Sequence, residues 1–279
     1  KRSPIMAIMA KERRYSLPPY TRGWFAVGWS DELRKGEVKK VRQFGQSFTL
    51  FRGEDGAAGV LDDICPHLGA HFSDGGTVEG NSVRCPYHHW CFDRHGDCSR
   101  IPYAKKIPVK AKVRSYSVVE RYGMIFMYRD KDGNPPSYDL PRIENFDEKS
   151  YLAPAKFNFA IRIHGQDIME NSVDSAHFRA VHGHETPENI FLAQGEELRI
   201  TQIVTLKRFL TTIKGHLDFH MIEPGFHYVH FPEAIKVRAL VFSSIVPIDE
   251  EMTNHRMSIW INKTPIPGFS RLVQRFIIS

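Results

Sequence analysis

Two short motifs at the end of the first third of the chain each pair a cysteine with a histidine. They are Cys65-x-His67 and Cys85-x2-His88, and 17 residues (positions 68 to 84) lie between them. Each cysteine is followed by a proline, which is typical of a loop. Two thiolates and two imidazoles at this spacing predict two facing loops around one metal group, so any fold of this chain has to bring these loops together.

A [2Fe–2S] cluster suits this set of ligands. The two sulfurs would bind one iron and the two imidazoles the other, and neutral imidazoles raise the reduction potential above that of an all-cysteine cluster. Structural zinc is the alternative, since zinc also takes two cysteines and two histidines. Zinc fingers usually pair Cys with Cys and His with His, whereas each half here mixes the two. We therefore predict a Rieske-type cluster on Cys65, His67, Cys85 and His88, and a protein that moves single electrons.

Size and composition are those of a globular protein with one large or two medium domains. The chain has 279 residues, of which 42% are hydrophobic and 25% charged. No apolar run is long enough to span a bilayer, and the apolar stretch at 4–10 is too short for the core of a signal peptide. We expect no membrane span, no export and a cytoplasmic location.

Two further cysteines, Cys91 and Cys98, lie outside the motifs. They could form a disulfide, but two free thiols in a reducing compartment are the simpler expectation.

Basic residues gather just after the second motif in a chain of net charge +6. No recognisable nucleic-acid motif accompanies them, so we expect no nucleic-acid partner. An acidic redox partner steered to this surface fits better, and an ordinary solvated face is the alternative. The residues are Arg94, Arg100, Lys105, Lys106, Lys110, Lys112 and Arg114.

The order of predicted elements indicates an α+β protein. Short strands with turns between them fill 20–130 and predict a small all-β domain, which we bound at 1–142. Longer alternating segments from 198 to 262 predict an antiparallel sheet with one face packed on the core, in a second domain at 143–279. Residues 159–165 read as a strand, 166–182 as a helix ending at Gly183, and 268–278 as the start of another helix.

The predicted helix at 166–182 carries a second candidate metal site. At about 100° per residue, Asn171, Asp174 and His177 lie on one side of it, whereas His182 lies about 140° from His177. Both imidazoles can meet one metal only if the helix ends or distorts between them. Two histidines and one carboxylate with open positions define a non-haem Fe(II) site, and we place Asp174 beside the ligands, orienting an imidazole.

The two sites together resemble the α-subunits of Rieske non-haem iron oxygenases over nearly the whole chain. The motifs that carry the resemblance are Cys65-x-His67, Cys85-x2-His88 and Asn171-x2-Asp174-x2-His177-x4-His182. The resemblance implies a Rieske domain, a helix-grip catalytic domain, O2 as co-substrate and a homotrimer. It also implies that a ferredoxin or flavin reductase, driven by NAD(P)H, feeds the cluster. Electrons would pass to the mononuclear Fe(II) of a neighbouring subunit, with Asp174 bridging to His177.

Two positions depart from the family pattern. His89 stands where many relatives have glycine, and larger residues are tolerated there in some of them. The third iron ligand, a carboxylate, is expected well downstream of His182. Asp249 reads as part of a turn, so we expect the ligand to lie beyond Ser279 and the chain to be trimmed.

Within the family, the segments at 98–105 and 133–136 resemble the branch of 3-ketosteroid 9α-hydroxylases and cholesterol 7-desaturases. This implies hydroxylation or desaturation of a hydrophobic polycyclic substrate, most simply a steroid or sterol. Aromatic-ring or O/N-demethylating oxygenases are the alternative within the family. A pure Rieske electron carrier and a steroid-binding protein with a degenerate iron site are the alternatives outside it. A second metal cluster is a weak alternative to ordinary packing for His216, His220, His227 and His230, and His164 and His184 could support the iron.

Overall fold

The N-terminal part of the protein is built from three small antiparallel sheets. The computed structural model describes residues 18–181, 187–194, 197–208, 211–222, 225–234 and 237–278. The sheets have the orders β1-β11-β10, β2-β3-β4-β9 and β5-β6-β7-β8. Their strands are β1 (Gly23–Trp29), β2 (Val38–Gln43), β3 (Gln46–Arg52), β4 (Ala58–Asp62), β5 (Thr77–Glu79), β6 (Ser82–Arg84), β7 (Cys91–Asp93), β8 (Cys98–Arg100), β9 (Ser115–Tyr116), β10 (Val118–Arg121) and β11 (Met124–Arg129).

The C-terminal part is one seven-stranded antiparallel sheet with three helices. Its strand order is β12-β18-β17-β16-β15-β14-β13, so the chain runs as a meander from β13 to β18 and β12 joins at the far edge. The elements are β12 (Ala155–Ile161), α1 (Gly165–Glu170), α2 (Ser175–Ala180), β13 (Glu188–Gln194), β14 (Glu197–Arg208), β15 (Thr211–Ile222), β16 (Phe226–Ala234), β17 (Val237–Pro247), β18 (Thr253–Ile261) and α3 (Phe269–Ile278).

The predicted α+β class, the two-part organisation and the terminal helix are confirmed. Strand β12 begins and ends four residues earlier than the predicted strand. It cannot extend to 165, because His164 caps α1 with its side chain and Gly165 starts that helix. Strands β5 to β8 are only three residues long, which is too short for a clear alternating pattern. Strand β13 was not predicted either, because its consecutive apolar residues Ile190, Phe191 and Leu192 do not alternate with polar ones.

The continuous helix predicted at 166–182 is wrong. The structure has two short helices, α1 and α2, with a turn at 171–174 between them. Asp174 takes an extended conformation and its side chain accepts a hydrogen bond from the N–H of Ala176, so it is the N-cap of α2. This cap signal overrides the helical pattern. Asn171, Asp174 and His177 therefore do not share one face of a single helix.

The large sheet packs on both faces, where one packed face was expected. We call the face that contacts α1 the helix face; Ile200, Met221 and Ile245 meet Met169 of α1 there. The opposite face meets the strands β1 and β11, and its aromatic cluster is the main core of the protein. That cluster includes Trp24, Tyr122, Phe126 and Tyr128 from the N-terminal part and Phe226, Tyr228, Phe242 and Trp260 from the sheet. The two parts thus share one hydrophobic core.

Candidate functional site

The two cysteine motifs form turns with the same backbone hydrogen bonds. In the first, at 65–70, the N–H of Cys65 donates to Ala70 O (2.8 Å) and the N–H of Gly69 to Cys65 O (3.0 Å). In the second, at 85–90, the N–H of Cys85 donates to Trp90 O (2.8 Å) and that of His89 to Cys85 O (3.2 Å). The turns differ in the position of the histidine, which is two residues after Cys65 and three after Cys85.

The four predicted cluster ligands come together between these turns. The Cys65 and Cys85 side chains are almost completely buried. Burial raises the pKa of the Cys65 thiol to about 12. A hydrogen bond from the backbone N–H of His67 lowers this pKa, and the neighbouring Cys85 raises it further, but burial has the largest effect. The rings of His67 and His88 lie 4.6 Å apart between centroids. Two buried thiols beside two imidazoles are a set of donors that suits a bound metal group, because metal coordination favours the thiolate form.

One atom of this site shows that its residues fit a bound group. His67 Nδ1 is buried and has no hydrogen-bond partner. Buried polar atoms are rarely left in this state, because the lost hydrogen bond costs about 1–3 kcal/mol. The His67 ring is itself held in place, since it stacks on Trp90 at 4.5 Å and 8°, and Trp90 Nε1 donates to Tyr103 Oη (2.7 Å). A cluster ligated partly by His67 Nδ1 fits this arrangement.

Asp63, which the sequence reasoning missed, anchors the first turn. Its carboxylate has no exposed surface and accepts hydrogen bonds from Thr49 Oγ1 (2.5 Å), Ser73 N (2.8 Å) and Ser73 Oγ (2.7 Å). His71 Nδ1 lies 2.9 Å from the same carboxylate. Burial acts to raise the pKa of Asp63, but these hydrogen bonds outweigh it and hold the pKa below 3.8. An acidic residue two positions before Cys65 was the signal that could have found it.

The second candidate site lies at the junction of α1 and α2. His177 is in the first turn of α2, and its Nδ1 donates a hydrogen bond to the backbone carbonyl of Asp174. A metal held by this ring would therefore be bound by Nε2. The carboxylate of Asp174, which we expect to orient an imidazole, accepts a hydrogen bond from the N–H of Ala176 through Oδ1. Asn171 follows the last residue of α1 with an exposed side chain.

Two amides on the helix face hold this junction. Gln202 Nε2 donates to Ser172 O (2.8 Å), and Asn189 Nδ2 donates to Val173 O (3.2 Å) and Ser175 Oγ (2.7 Å). Both residues come from strands that lie beneath the turn at 171–174. They fix the break between the helices and hence the position of His177. Sequence reasoning missed them because only the register of β13 and β14 brings them there.

His182 and His184 lie outside the described residues. Helix α2 ends at Ala180, between His177 and His182, as two imidazoles sharing one metal would require. Among the residues that the structure describes, no three His, Cys, Asp or Glu side chains are grouped to hold a single metal ion. Of the histidines considered for a second metal cluster, His227 lies on the helix face, whereas His220 and His230 lie on the opposite face, as His216 does. His164 caps α1, and Asp249 accepts hydrogen bonds from Glu251 N and Met252 N in the turn before β18, as predicted.

The basic residues after the second turn are only partly available to a partner. Arg94, Arg100 and Lys112 form ion pairs with Asp55, Glu79 and Asp97, respectively. Lys105, Lys106 and Lys110 are exposed.

All four cysteines are free thiols, as expected for Cys91 and Cys98. In the described part of the chain, no helix has the length and apolar character needed to cross a membrane.

Comparison with known proteins places the chain in one family. Residues 23–122 match the model of the Rieske [2Fe-2S] domain, and residues 127–271 match that of the 3-ketosteroid 9alpha-hydroxylase C-terminal domain. A cholesterol 7-desaturase of Hemicentrotus pulcherrimus is 37% identical over 204 residues, which cover 71% of this chain and 42% of that protein. A probable 3-ketosteroid-9-alpha-monooxygenase oxygenase component of Rhodococcus rhodochrous is 35% identical over 170 residues, covering 59% and 42%. The matched residues thus span less than half the length of either relative.

Solved structures share the fold at low sequence identity. Dicamba monooxygenase bound to dicamba has a TM-score of 0.74 and 18% identity, and the match covers 92% of this chain and 80% of that one. NdmA of Pseudomonas putida CBB5 with caffeine also has a TM-score of 0.74, with 20% identity over 91% and 78% of the two chains. The chain belongs to the Rieske oxygenases, in the branch defined by the 3-ketosteroid 9alpha-hydroxylase C-terminal domain.

Proposed function

We propose that this chain is the terminal oxygenase component of a multi-component system that oxidises a steroid or sterol. In this proposal Cys65, His67, Cys85 and His88 hold the [2Fe–2S] cluster, and His177 and His182 bind the mononuclear iron. When bound, these groups supply single electrons and activate dioxygen. The observation that carries the proposal is the buried, unpartnered Nδ1 of His67, in the same turn as the buried Cys65, in a chain that matches both family models.

The residues of this chain have distinct tasks in the proposal. The two cysteine turns, held by Asp63 and Trp90, fix the cluster and exclude water from it. Gln202 and Asn189 fix the junction that presents His177. We assign Asp174 a positioning role, because it both caps α2 and hydrogen-bonds the His177 ring through its backbone. Asn171, exposed beside it, is a further candidate for this set.

The relatives' activities support a steroid or sterol substrate over an aromatic one. The cholesterol 7-desaturase and the 3-ketosteroid monooxygenase share at least 35% identity with this chain over the aligned residues. Dicamba monooxygenase and NdmA share at most 20% sequence identity with this chain, so they support the fold alone. A pure electron carrier would need neither the seven-stranded sheet nor the helix junction with His177. Hydroxylation or desaturation of an apolar polycyclic molecule therefore accounts best for the whole chain.

Exposed apolar residues around the cysteine turns support docking partners. Ile64, Leu68 and Tyr87 are 55%, 64% and 63% exposed. An apolar rim of this kind suits a protein contact, and the nearby lysines suit an acidic ferredoxin or flavin reductase. We propose that NAD(P)H drives this partner and that the oxygenase is a homotrimer. Cys91 and Cys98, which are outside the proposed cluster site, are free thiols, and this suits a reducing compartment such as the cytoplasm.

Turnover with labelled dioxygen tests the proposed function. The protein would receive a compatible reductase, NADH, ¹⁸O2 and a panel of sterols and 3-ketosteroids, with products read by mass spectrometry. We expect a labelled or desaturated steroid product, and none from His177→Ala. Oxygen consumption without any steroid product would remove the substrate assignment. No oxygen use despite a reducible cluster would leave the chain an electron carrier.

Single-turnover oxidation of the cluster tests the role of Asp174. Asn is as good an N-cap as Asp, so Asp174→Asn should preserve α2 and the iron content. We expect the variant to keep both metals, because the cap and the backbone hydrogen bond to His177 remain. We expect it to oxidise its cluster more slowly in the presence of substrate, because we propose that the negative carboxylate of Asp174 links the cluster of a neighbouring subunit to His177. Cluster oxidation at the wild-type rate would exclude this role of the carboxylate.

A further inference from the structure

Three polar side chains lie side by side on the helix face of the large sheet. His227 of β16 and Ser243 of β17 stand directly opposite each other in the sheet register, and His255 follows on β18. The His227 and His255 rings are 6.2 Å apart between centroids. His255 Nε2 hydrogen-bonds Ser243 Oγ. We call His227, Ser243 and His255 the polar triplet.

The surroundings of the polar triplet are apolar. Met221, paired with His227 across β15 and β16, belongs to the cluster that packs on α1. Val229 and Val241 form the next cross-strand pair on the same face, and Met257 lies opposite Ser243. Phe159, paired with His255, keeps 44% of its surface exposed, so the sheet is open beside the triplet. A ligand here would meet hydrocarbon on most sides.

The triplet has unused hydrogen-bonding capacity in this apolar setting. His227 exposes only 8% of its surface, and its Nδ1 has no hydrogen-bond partner. Burial lowers the pKa of His227 to about 3, with His255 adding to the effect, and burial lowers that of His255 to about 4. Both rings are therefore neutral near pH 7. A neutral imidazole has one donor and one acceptor nitrogen, so it can serve a hydroxyl group or a carbonyl group equally.

The triplet also lies on the face that carries the proposed iron site. Gln202, which holds the turn before α2, belongs to β14 on this face, and β14 and β16 are two strand positions apart. Adjacent strands lie about 4.8 Å apart, so His227 is displaced from Gln202 by roughly 10 Å across the sheet. Gln202 pairs with Leu217, four residues before the Met221 that pairs with His227, which adds roughly 13 Å along the strands and places the two side chains roughly 16 Å apart. A rigid molecule could contact both places at once.

We propose that the polar triplet binds the single hydroxyl or keto oxygen of a rigid, otherwise apolar polycyclic substrate, and so sets which carbon of that substrate faces His177. This inference rests on the proposed function and adds how the site recognises its substrate. His227 supplies the direct hydrogen bond. Ser243 and His255 hold each other and complete the polar wall.

Binding measurements with paired ligands test this inference. Each pair differs by one oxygen: cholesterol against cholest-5-ene, and cholest-4-en-3-one against cholest-4-ene. The dissociation constants would be measured for wild type and His227→Phe, with His230→Phe as the control, since His230 lies on the same strand but on the opposite face. We expect wild type and His230→Phe to prefer the oxygenated member at least tenfold, and His227→Phe to bind both members of a pair equally.

Ser243→Ala is a milder second variant, in case His227→Phe does not fold, and it should reduce the preference without removing it. The cluster's visible spectrum shows whether each variant is folded. An undiminished preference in His227→Phe, or in Ser243→Ala if only that variant folds, would overturn the inference while leaving the proposed function intact. Failure of wild type to bind any of these ligands would overturn both the steroid assignment and this inference.

Discussion

Gly69 and His89 occupy the same position in two turns with the same hydrogen bonds. Each residue donates its N–H to the carbonyl of the cysteine four residues earlier. Each has a positive φ, 78° for Gly69 and 59° for His89. Glycine adopts this left-handed conformation freely, whereas other L residues do so at a cost. The departure from the family pattern noted at His89 is thus a backbone cost at one of two equivalent positions.

The pair predicts opposite responses to substitution. Gly69→Ala should lower the free energy of unfolding by about 1 kcal/mol, because a Cβ at Gly69 would meet no atom within 4 Å and only the backbone conformation is penalised. His89→Gly should not destabilise the protein, since it relieves the same cost. Denaturant unfolding of both variants, with the cluster spectrum as a check on the site, measures this. A loss in His89→Gly as large as that in Gly69→Ala would show that the His89 side chain itself stabilises the turn.

Asp63 should make stability depend on acid pH. Its pKa is held below 3.8 by hydrogen bonds, so its contribution is fully present above the unfolded pKa and is lost as pH falls through the folded one. Asp63→Asn should lower the free energy of unfolding by about 1–3 kcal/mol at pH 7, because the Thr49 and Ser73 donors lose a charged acceptor. The difference in free energy of unfolding between wild type and the variant should become smaller below about pH 4. Asp74→Asn, which alters an exposed pair with Lys40, is the control and should change little. Parallel pH curves for wild type and Asp63→Asn would contradict the assignment.

His227 should make the free energy of unfolding depend on pH between about 7 and 5, a higher range than that of Asp63. Its folded pKa of about 3 lies below the usual 6.5, so the unfolded chain binds the proton first and stability falls as pH drops below about 6.5. The loss from this residue should reach about 2 kcal/mol at pH 5. His227→Phe should therefore show a shallower fall between pH 7 and 5, measured by denaturant unfolding. Val229→Leu, at the next position on the same face, controls for disturbed packing and should keep the wild-type slope of the free energy of unfolding against pH. If His227→Phe also kept that slope, the His227 ring would be charged in the folded protein.

The shared aromatic core should make the two parts of the chain unfold together. The Phe242 ring stacks on Tyr122 at 4.4 Å and 16°, and Phe242 is fully buried. Phe242→Ala should cost about 3–5 kcal/mol and shift a single calorimetric transition. Phe159→Ala, on a half-exposed ring of the same sheet, should cost far less. Two transitions, with the cluster-linked one unmoved by Phe242→Ala, would show that the parts fold independently.

Sequence reasoning worked where a few adjacent residues carry the information. The cysteine motifs are local, so the two turns and the meeting of their side chains could be predicted from the order of the residues alone. The long strands of the sheet were predicted because each has a clear alternating pattern over many residues. The break between α1 and α2 was missed because Asp174 and Ser175, a helix-start signal, stand inside a segment that otherwise reads as helical.

Other features depend on contacts between distant segments. Asn189 and Gln202 reach the helix junction through the pairing of β13 with β14. His227, Ser243 and His255 become neighbours only through the register of three strands. Gly69 and His89 are equivalent because their turns have the same backbone hydrogen bonds. The sequence does not show this, because the histidines His67 and His88 follow their cysteines at different spacings. No local pattern predicts these relationships.

Metal and sulfide analysis of wild type and His177→Ala shows whether this chain holds two separate iron sites. We expect two irons and two acid-labile sulfides from the cluster plus one further iron in wild type. His177→Ala should lose only the further iron and keep the visible spectrum of the cluster. Zinc in place of iron and sulfide at the cysteine turns would rule out the cluster, and loss of both centres in His177→Ala would rule out a separate iron site at His177.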